Sequence, residues 1–291
     1  MNSLKTVFLL TLLTMILVSV GGAVGGTNGM LIMLAFSIAM NFFSYWYSDT
    51  MVLKMYRAEE VDINTAPELV KIVAGLARRS QLPMPKVYII DEPVPNAFAT
   101  GRSPEHASVA VTSGIMQLLS REEMEGVLAH ELSHIKNRDI LISTIVATIA
   151  GLISTIGNIV QWGAMFGGFG RSNDDEEGNG GIAGLLVTVI IAPIAATLIQ
   201  FGISRSREYI ADESGGRMSG NPLALASALA KIDDYAHRRI MPEATASTAH
   251  MFIINPLSAS HKAFMNLFST HPSTESRIEK LKELARRIDK I

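Results

Sequence analysis

Two histidines four residues apart, with a glutamate directly after the first, stand in the run His130-Glu131-Leu132-Ser133-His134. On an α-helix, positions i and i+4 lie on one face a turn apart, so both imidazoles can reach one metal ion. Glu131 lies about 100° round the helix from His130. It therefore points beside the ion, where a carboxylate can take a proton from metal-activated water. This H-E-x-x-H order is the pattern of metal-assisted peptide hydrolysis. A surface helix that merely carries two histidines is the competing reading until a third ligand is found.

That ligand is expected in Ser204-Arg205-Ser206-Arg207-Glu208-Tyr209-Ile210-Ala211-Asp212-Glu213. Glu208 would complete a His2Glu set with one open position, a catalytic zinc arrangement. Asp212, four residues on, shares its helical face and can accept a hydrogen bond from the outer nitrogen of a metal histidine, fixing the tautomer. Without the histidine helix, an acidic pair at this spacing reads more readily as a solvated face. The chain has no cysteine, which excludes Cys-ligated zinc and a disulfide framework.

The elements that must position these groups can be read in outline. Ser120 and Glu123 make a capping box for a helix reaching Asp139. A helix is expected from Pro67, with Leu69, Val70, Ile72, Val73 and Leu76 at helical spacing. Strands are expected at 87–90 and 108–112, with a short extended piece at 96–101 closed by Gly101. In such a small sheet the strand nearest the cleft can pair with an extended peptide through main-chain hydrogen bonds. Asn96, Ala97, Phe98 and Ala99 are expected to form that substrate-binding edge, an ordinary internal strand being the alternative. Beyond residue 220, Pro222 to Tyr235 reads as a helix and 241–270 as irregular sequence beside the cleft. The last helix carries an apolar stripe of Ile278, Leu281, Leu284, Ala285 and Ile288 suited to core packing.

The remaining sequence is apolar in long runs. The chain is 48% hydrophobic and only 18% charged, with a mean hydropathy of +0.28. Residues 4–24 and 30–47 each approach the length of a bilayer crossing, with Gly25-Gly26-Thr27-Asn28-Gly29 between them and Tyr45-Trp46-Tyr47 as an interfacial anchor. A transmembrane hairpin is expected, a cleaved signal peptide being the alternative for the first run. No charged residue occurs from Ile140 to Trp162, and 182–203 is apolar again after the acidic Asp174-Asp175-Glu176-Glu177. This reads as a second hairpin, or else as a buried helical pair. Lys5, Lys54 and Arg57 place both ends of the first hairpin in the cytoplasm. His134 is so close to Ile140 that the metal would lie within about 10 Å of the membrane surface.

The expected fold class is α+β: a mostly helical integral membrane protein with two transmembrane helical hairpins and a zincin-like catalytic domain carrying a small β-sheet. Its expected parts are 1–49 (first hairpin), 50–139 (first catalytic half with the zinc helix), 140–203 (second hairpin) and 204–291 (second catalytic half). A net charge of −2 gives no basic excess for nucleic acid. The expected partners are the lipid bilayer and polypeptide substrates.

His130–His134, the block from Ser204 to Asp212, Asn96–Gly101 and Ser269-Thr270-His271-Pro272 together resemble the HtpX heat-shock membrane protease family, gluzincins related to the CAAX prenyl proteases. The resemblance runs over essentially the whole chain. It implies a bacterial inner-membrane zinc endopeptidase, multi-pass, with one Zn2+ per chain and with its catalytic domain and both termini in the cytoplasm. It implies cleavage of misfolded or damaged membrane proteins and unfolded polypeptides, alongside an ATP-dependent membrane protease. Carried over by residue, it implies His130, His134 and Glu208 as zinc ligands, Glu131 as general base, Asp212 as the aspartate behind a ligand and His271 as oxyanion stabiliser. From its neighbours alone, His271 reads as a helix N-cap before Pro272. Arg277 resembles a family position near the site, though a plain surface arginine fits as well. Two competing functions are a prenyl-CAAX protease with the same zinc chemistry and a non-catalytic zinc-binding membrane scaffold. The short chain argues against the first, and the presence of Glu131 against the second.

Overall fold

The computed structural model describes residues 2–141, 145, 205–238 and 272–288. His271, the stretch 241–270 and nearly all of the expected second hairpin lie outside the described residues. What is described is mostly helical, with one small mixed sheet.

The sheet has four strands: β1 (Glu59–Val61), β2 (Lys86–Ile90), β3 (Ala97–Gly101) and β4 (Ala107–Thr112), in the order β1-β2-β4-β3. β2 and β4 run parallel, and β1 and β3 join their neighbours antiparallel. β4, with Val109 and Val111, is buried at every residue, as expected for an inner strand covered on both faces. β1 was not expected from the sequence: three residues are too few for a periodic signal. β3 lies at the sheet edge, where Asn96–Ala99 were sought. It ends at Gly101, whose φ of 137° suits glycine. A Cβ there would meet the His106 carbonyl at 2.2 Å.

Side chains alternate across the sheet, and the two faces meet different partners. Val87, Ala97, Val109 and Val111 join a core with Leu69, Val73 and Leu76 of α2 (Pro67–Arg79) and Val127, Leu128 and Leu132 of α4 (Arg121–Lys136). Leu225, Leu229 and Ile232 of α6 (Pro222–Arg238) and Leu281 of α7 (Thr274–Ile288) complete it. Each fully buried leucine of this set contributes about 1.5–3 kcal/mol. On the other face Ile90, Phe98 and Ala110 pack on Val52, Leu53 and Tyr56, at the foot of α1 (Asn2–Met55). A short α3 (Ser113–Leu118) links β4 to α4.

α1 is broken at Gly25 and Gly26, both outside helical geometry, and its two arms fold back on each other. A Cβ on Gly29 would stand 2.1 Å from the Gly21 carbonyl. Farther along, Asn41 Nδ2 donates to Thr14 Oγ1 across the arms at 3.0 Å. Among the described residues, one segment is long and apolar enough to cross a bilayer: Gly25–Tyr47, 23 residues and almost wholly unburied. Leu10–Ser19 in the first arm is a shorter apolar helix. The second arm continues past the aromatic anchor to Met55 and ties directly into the sheet.

Two helix ends differ from expectation. α4 has the full capping box, with Ser120 and Glu123 each bonding the other's backbone N–H. It stops at Lys136, short of Asp139, because Arg138 takes a left-handed φ of 58°. α7 begins at Thr274, and the Ser273 hydroxyl accepts from the Ser276 N–H at 3.3 Å. The N-cap is therefore Ser273, not His271, since a serine hydroxyl one residue before the first turn reaches the orphan donors.

Candidate metal centre

The centre forms where α4 crosses α5 (Arg205–Ser219). Gly215 allows that crossing: a Cβ there would stand 2.8 Å from both the Cα and the N of His130. With the backbones this close, the first turns of α5 bring Glu208 and Asp212, one helical turn apart, to the histidine face of α4. His130, Glu131, Glu208 and Asp212 are all buried.

His130, His134 and Glu208 each turn a ligand atom into one small space, all within 4.8 Å of one another. The two Nε2 atoms are 3.2 Å apart. Glu208 Oε2 lies 3.7 Å from His130 Nε2, and Glu208 Oε1 lies 3.7 Å from His134 Nε2. A tetrahedral ion about 2.0–2.1 Å from nitrogen ligands needs donors roughly 3.3 Å apart, close to these spacings. The outer nitrogens face carboxylates instead. His130 Nδ1 is 3.0 Å from Asp212 Oδ1, and His134 Nδ1 is 3.4 Å from Asp139 Oδ2. A proton on each Nδ1 leaves two Nε2 lone pairs converging on one point, an arrangement that repels itself unless a cation sits between them. The set fits a divalent metal, and two imidazoles with one carboxylate and no thiolate suit zinc.

Behind Asp212 lies Arg277 of α7, buried at 1% exposure. Its Nε donates to Asp212 Oδ2 at 2.8 Å and its Nη2 to Asp212 Oδ1 at 2.7 Å. Burial disfavours a charged Asp212, yet this guanidinium holds its pKa down to about 2. Burial likewise opposes a charge on His130, but Asp212 and Glu208 outweigh it and, without a metal, push the ring up to about 9. The surface reading of Arg277 is therefore overturned. Its position in the helix gave no sign of burial, because Asp212 is 65 residues away in sequence. Asp139 and Arg207, the latter with Nη1 3.8 Å from Asp139 Oδ1, were also missed. The available signal was an aspartate five residues after His134, at the edge of a charge-free run.

Glu131 stands beside the triad, and burial raises its carboxyl above the usual range. Its Oε2 accepts the Ala99 N–H at 3.0 Å. Because strand groups alternate in direction, this bond shows that Ala97 and Ala99 turn their main-chain groups away from β4, toward the metal helix. Asn96 is bonded the other way: its carbonyl accepts the Thr112 N–H at 2.9 Å. The Phe98 side chain is buried on the opposite face, its ring 5.6 Å from that of Tyr56.

Comparison with known proteins agrees with this geometry. Residues 64–285 match Peptidase family M48. The chain is 52% identical to a protease HtpX homolog of Syntrophobacter fumaroxidans, over 96% of this chain and 98% of that one. It is 51% identical to a protease HtpX homolog of Pyrococcus furiosus, over 97% of this chain and 95% of that one. Among solved structures it is similar in fold to S. mikatae Ste24p, with a TM-score of 0.50 and 18% identity, over 94% of this chain and 67% of that one. With its His-His-Glu metal triad, the chain belongs to Peptidase family M48 as an HtpX-type metallopeptidase.

Proposed function

We propose that the protein is a zinc endopeptidase of a bacterial inner membrane, cleaving segments of misfolded or damaged membrane proteins at the cytoplasmic face. The observation that carries this reading is the Ala99 N–H to Glu131 Oε2 bond at 3.0 Å. It sets the general base between the metal triad and a sheet edge with outward main-chain groups, so a peptide laid along that edge passes the base. His130, His134 and Glu208 would hold a zinc ion, which would supply Lewis acidity toward water and a substrate carbonyl. Glu131, its proton affinity raised by burial, takes a proton from the attacking water and returns it to the leaving amine. Asp212 fixes the His130 ring. Ala97 and Ala99 offer main-chain partners to substrate, with Asn96 and Phe98 holding that strand in place. His271, in the residues leading to α7, is the proposed donor to the developing oxyanion.

The membrane site is supported by the unburied apolar segment Gly25–Tyr47, and the cytoplasmic orientation by Lys5, Lys54 and Arg57. The partition into 1–49, 50–139, 140–203 and 204–291 belongs to the same reading. So does partnership with an ATP-dependent membrane protease, which rests on the family likeness alone. One alternative, cleavage of prenylated peptides, rests on the family resemblance alone. The test is zinc content and casein cleavage by detergent-purified protein, wild type against Glu131→Gln. The variant should retain about one zinc per chain and lose roughly 10²-fold or more in rate. Full cleavage by the variant would refute the assignment of the base. Cleavage of a prenylated peptide but not of unfolded membrane protein would favour the alternative.

A further inference from the structure

His130 and His134 both have an aspartate at the outer nitrogen and an arginine behind it, but the second trio is built from the ends of the long apolar insertion. Asp139 directly precedes that insertion, and Arg207 follows it within three residues of Ser204. The trio depends on how α4 ends. The Arg138 N–H donates to the Ile135 carbonyl at 3.1 Å and the Asp139 N–H to the His134 carbonyl at 2.9 Å. This pair of bonds, with a left-handed residue at Arg138, is the double closure that ordinarily has glycine at that place. It folds Asp139 back over the last turn. One oxygen of its carboxylate then lies 3.4 Å from His134 Nδ1 and the other 3.8 Å from Arg207 Nη1. Asp139 is 4% exposed. Arg207 is the residue immediately before the third ligand Glu208, so the ion pair joins the segments that carry His134 and Glu208.

We propose that Asp139 is the positioning residue for His134, and that its ion pair with Arg207 makes metal affinity depend on the two ends of the 140–204 insertion being held together. The proposal rests on His130, His134 and Glu208 being the metal ligands. Asp139 accepts from the Nδ1 proton of His134, which fixes the ring's orientation and leaves Nε2 as the nitrogen aimed at the ion. Arg207, 3.8 Å from the other oxygen, holds the carboxylate in register. Separation of the insertion's ends would draw Arg207 and Glu208 away from Asp139 and His134 together.

The experiment uses the full chain in detergent, stripped of metal and titrated with Co2+ against a chelator of known affinity, with the visible d–d band recorded at saturation. His134→Ala serves as reference and should lose Co2+ affinity by more than about 100-fold. Wild-type affinity in that variant would refute the ligand assignment itself. With the reference behaving as expected, Asp139→Ala should weaken Co2+ binding by about 10–100-fold and shift the d–d band. Asp139→Asn keeps an acceptor oxygen but loses the charge, and should weaken binding by about 3–10-fold, as should Arg207→Met. The double variant Asp139→Asn, Arg207→Met should bind no more weakly than the weaker single, because both changes break one interaction. Should Asp139→Ala fail to fold, Asp139→Asn and Arg207→Met decide. Affinity within twofold of wild type and an unshifted band in those variants, even with a lowered unfolding temperature, would overturn the proposal.

Discussion

The two histidines converge on one point yet are held by unequal supports. His130 sits at 2% side-chain exposure, its Asp212 partner gripped by two Arg277 bonds of 2.7 and 2.8 Å. His134 is 17% exposed, and its Asp139 partner stands 3.8 Å from Arg207 Nη1. The first arm is buried within the helical layer, where a charge pair in a low dielectric is strong and its breakage severe. The second is built from residues that flank the apolar 140–204 run in sequence. A metal site built this way has one fixed ligand and one that answers to its surroundings.

The comparison breaks most completely at Arg277. Arg277→Met leaves the buried Asp212 charge with His130 as its remaining partner, and should lower unfolding free energy by about 3 kcal/mol, the lower end of the cost of breaking a buried pair, read from denaturant unfolding of the metal-free protein. A loss below about 1 kcal/mol would refute a strong Arg277–Asp212 pair. Gly215→Ala tests the crossing that sets the first arm. Its methyl has no room against the His130 backbone, and should cost about 1–3 kcal/mol and weaken zinc binding, measured by chelator competition.

pH probes the first arm without mutation. His130 in the metal-free protein has its pKa raised to about 9 from 6.5. The stability it contributes is fully present below pH 6.5 and is lost as pH rises through 9. Asp212, held near 2 from 3.8, contributes above pH 3.8 and is lost as pH falls through 2. Metal-free protein should therefore show a stability plateau from about pH 4 to 6.5, falling on both sides. Zinc should abolish the alkaline fall, because a metal-bound Nε2 takes up no proton. Persistence of that fall with zinc bound would place His130 outside the ligand set. The smallest expected effect is Ser120→Ala, which removes the capping box of the shared helix α4. It should cost about 1 kcal/mol and leave the ratio of the two arms unchanged, as judged by the Co2+ spectrum.

Much of the centre was legible in residue order. H-E-x-x-H needs only the helical repeat to put two imidazoles on one face, and Ser120 with Glu123 marks where that helix starts. Glu208 and Asp212 share a face by the same arithmetic. The sheet edge at 97–101 was readable from its short extended run and closing glycine. Local rules failed where partners are remote: three-residue β1, the Ser273 cap in place of His271, and above all Arg277, whose buried role is set by an aspartate on another helix.

By itself, then, the chain's order of residues determined the chemistry, because ligands four apart on one helix require no knowledge of the rest of the fold. It also determined the break at Gly25–Gly26, since the angles of Gly26, φ 58° and ψ −145°, suit glycine. Only the tertiary structure decided which charges stand behind which ligand. Arg277 comes to Asp212 by the packing of α7 onto α5, and Arg207 to Asp139 by the packing of α5 onto α4. Such pairings across 65 and 68 residues follow from helices excluding water together, not from any local pattern.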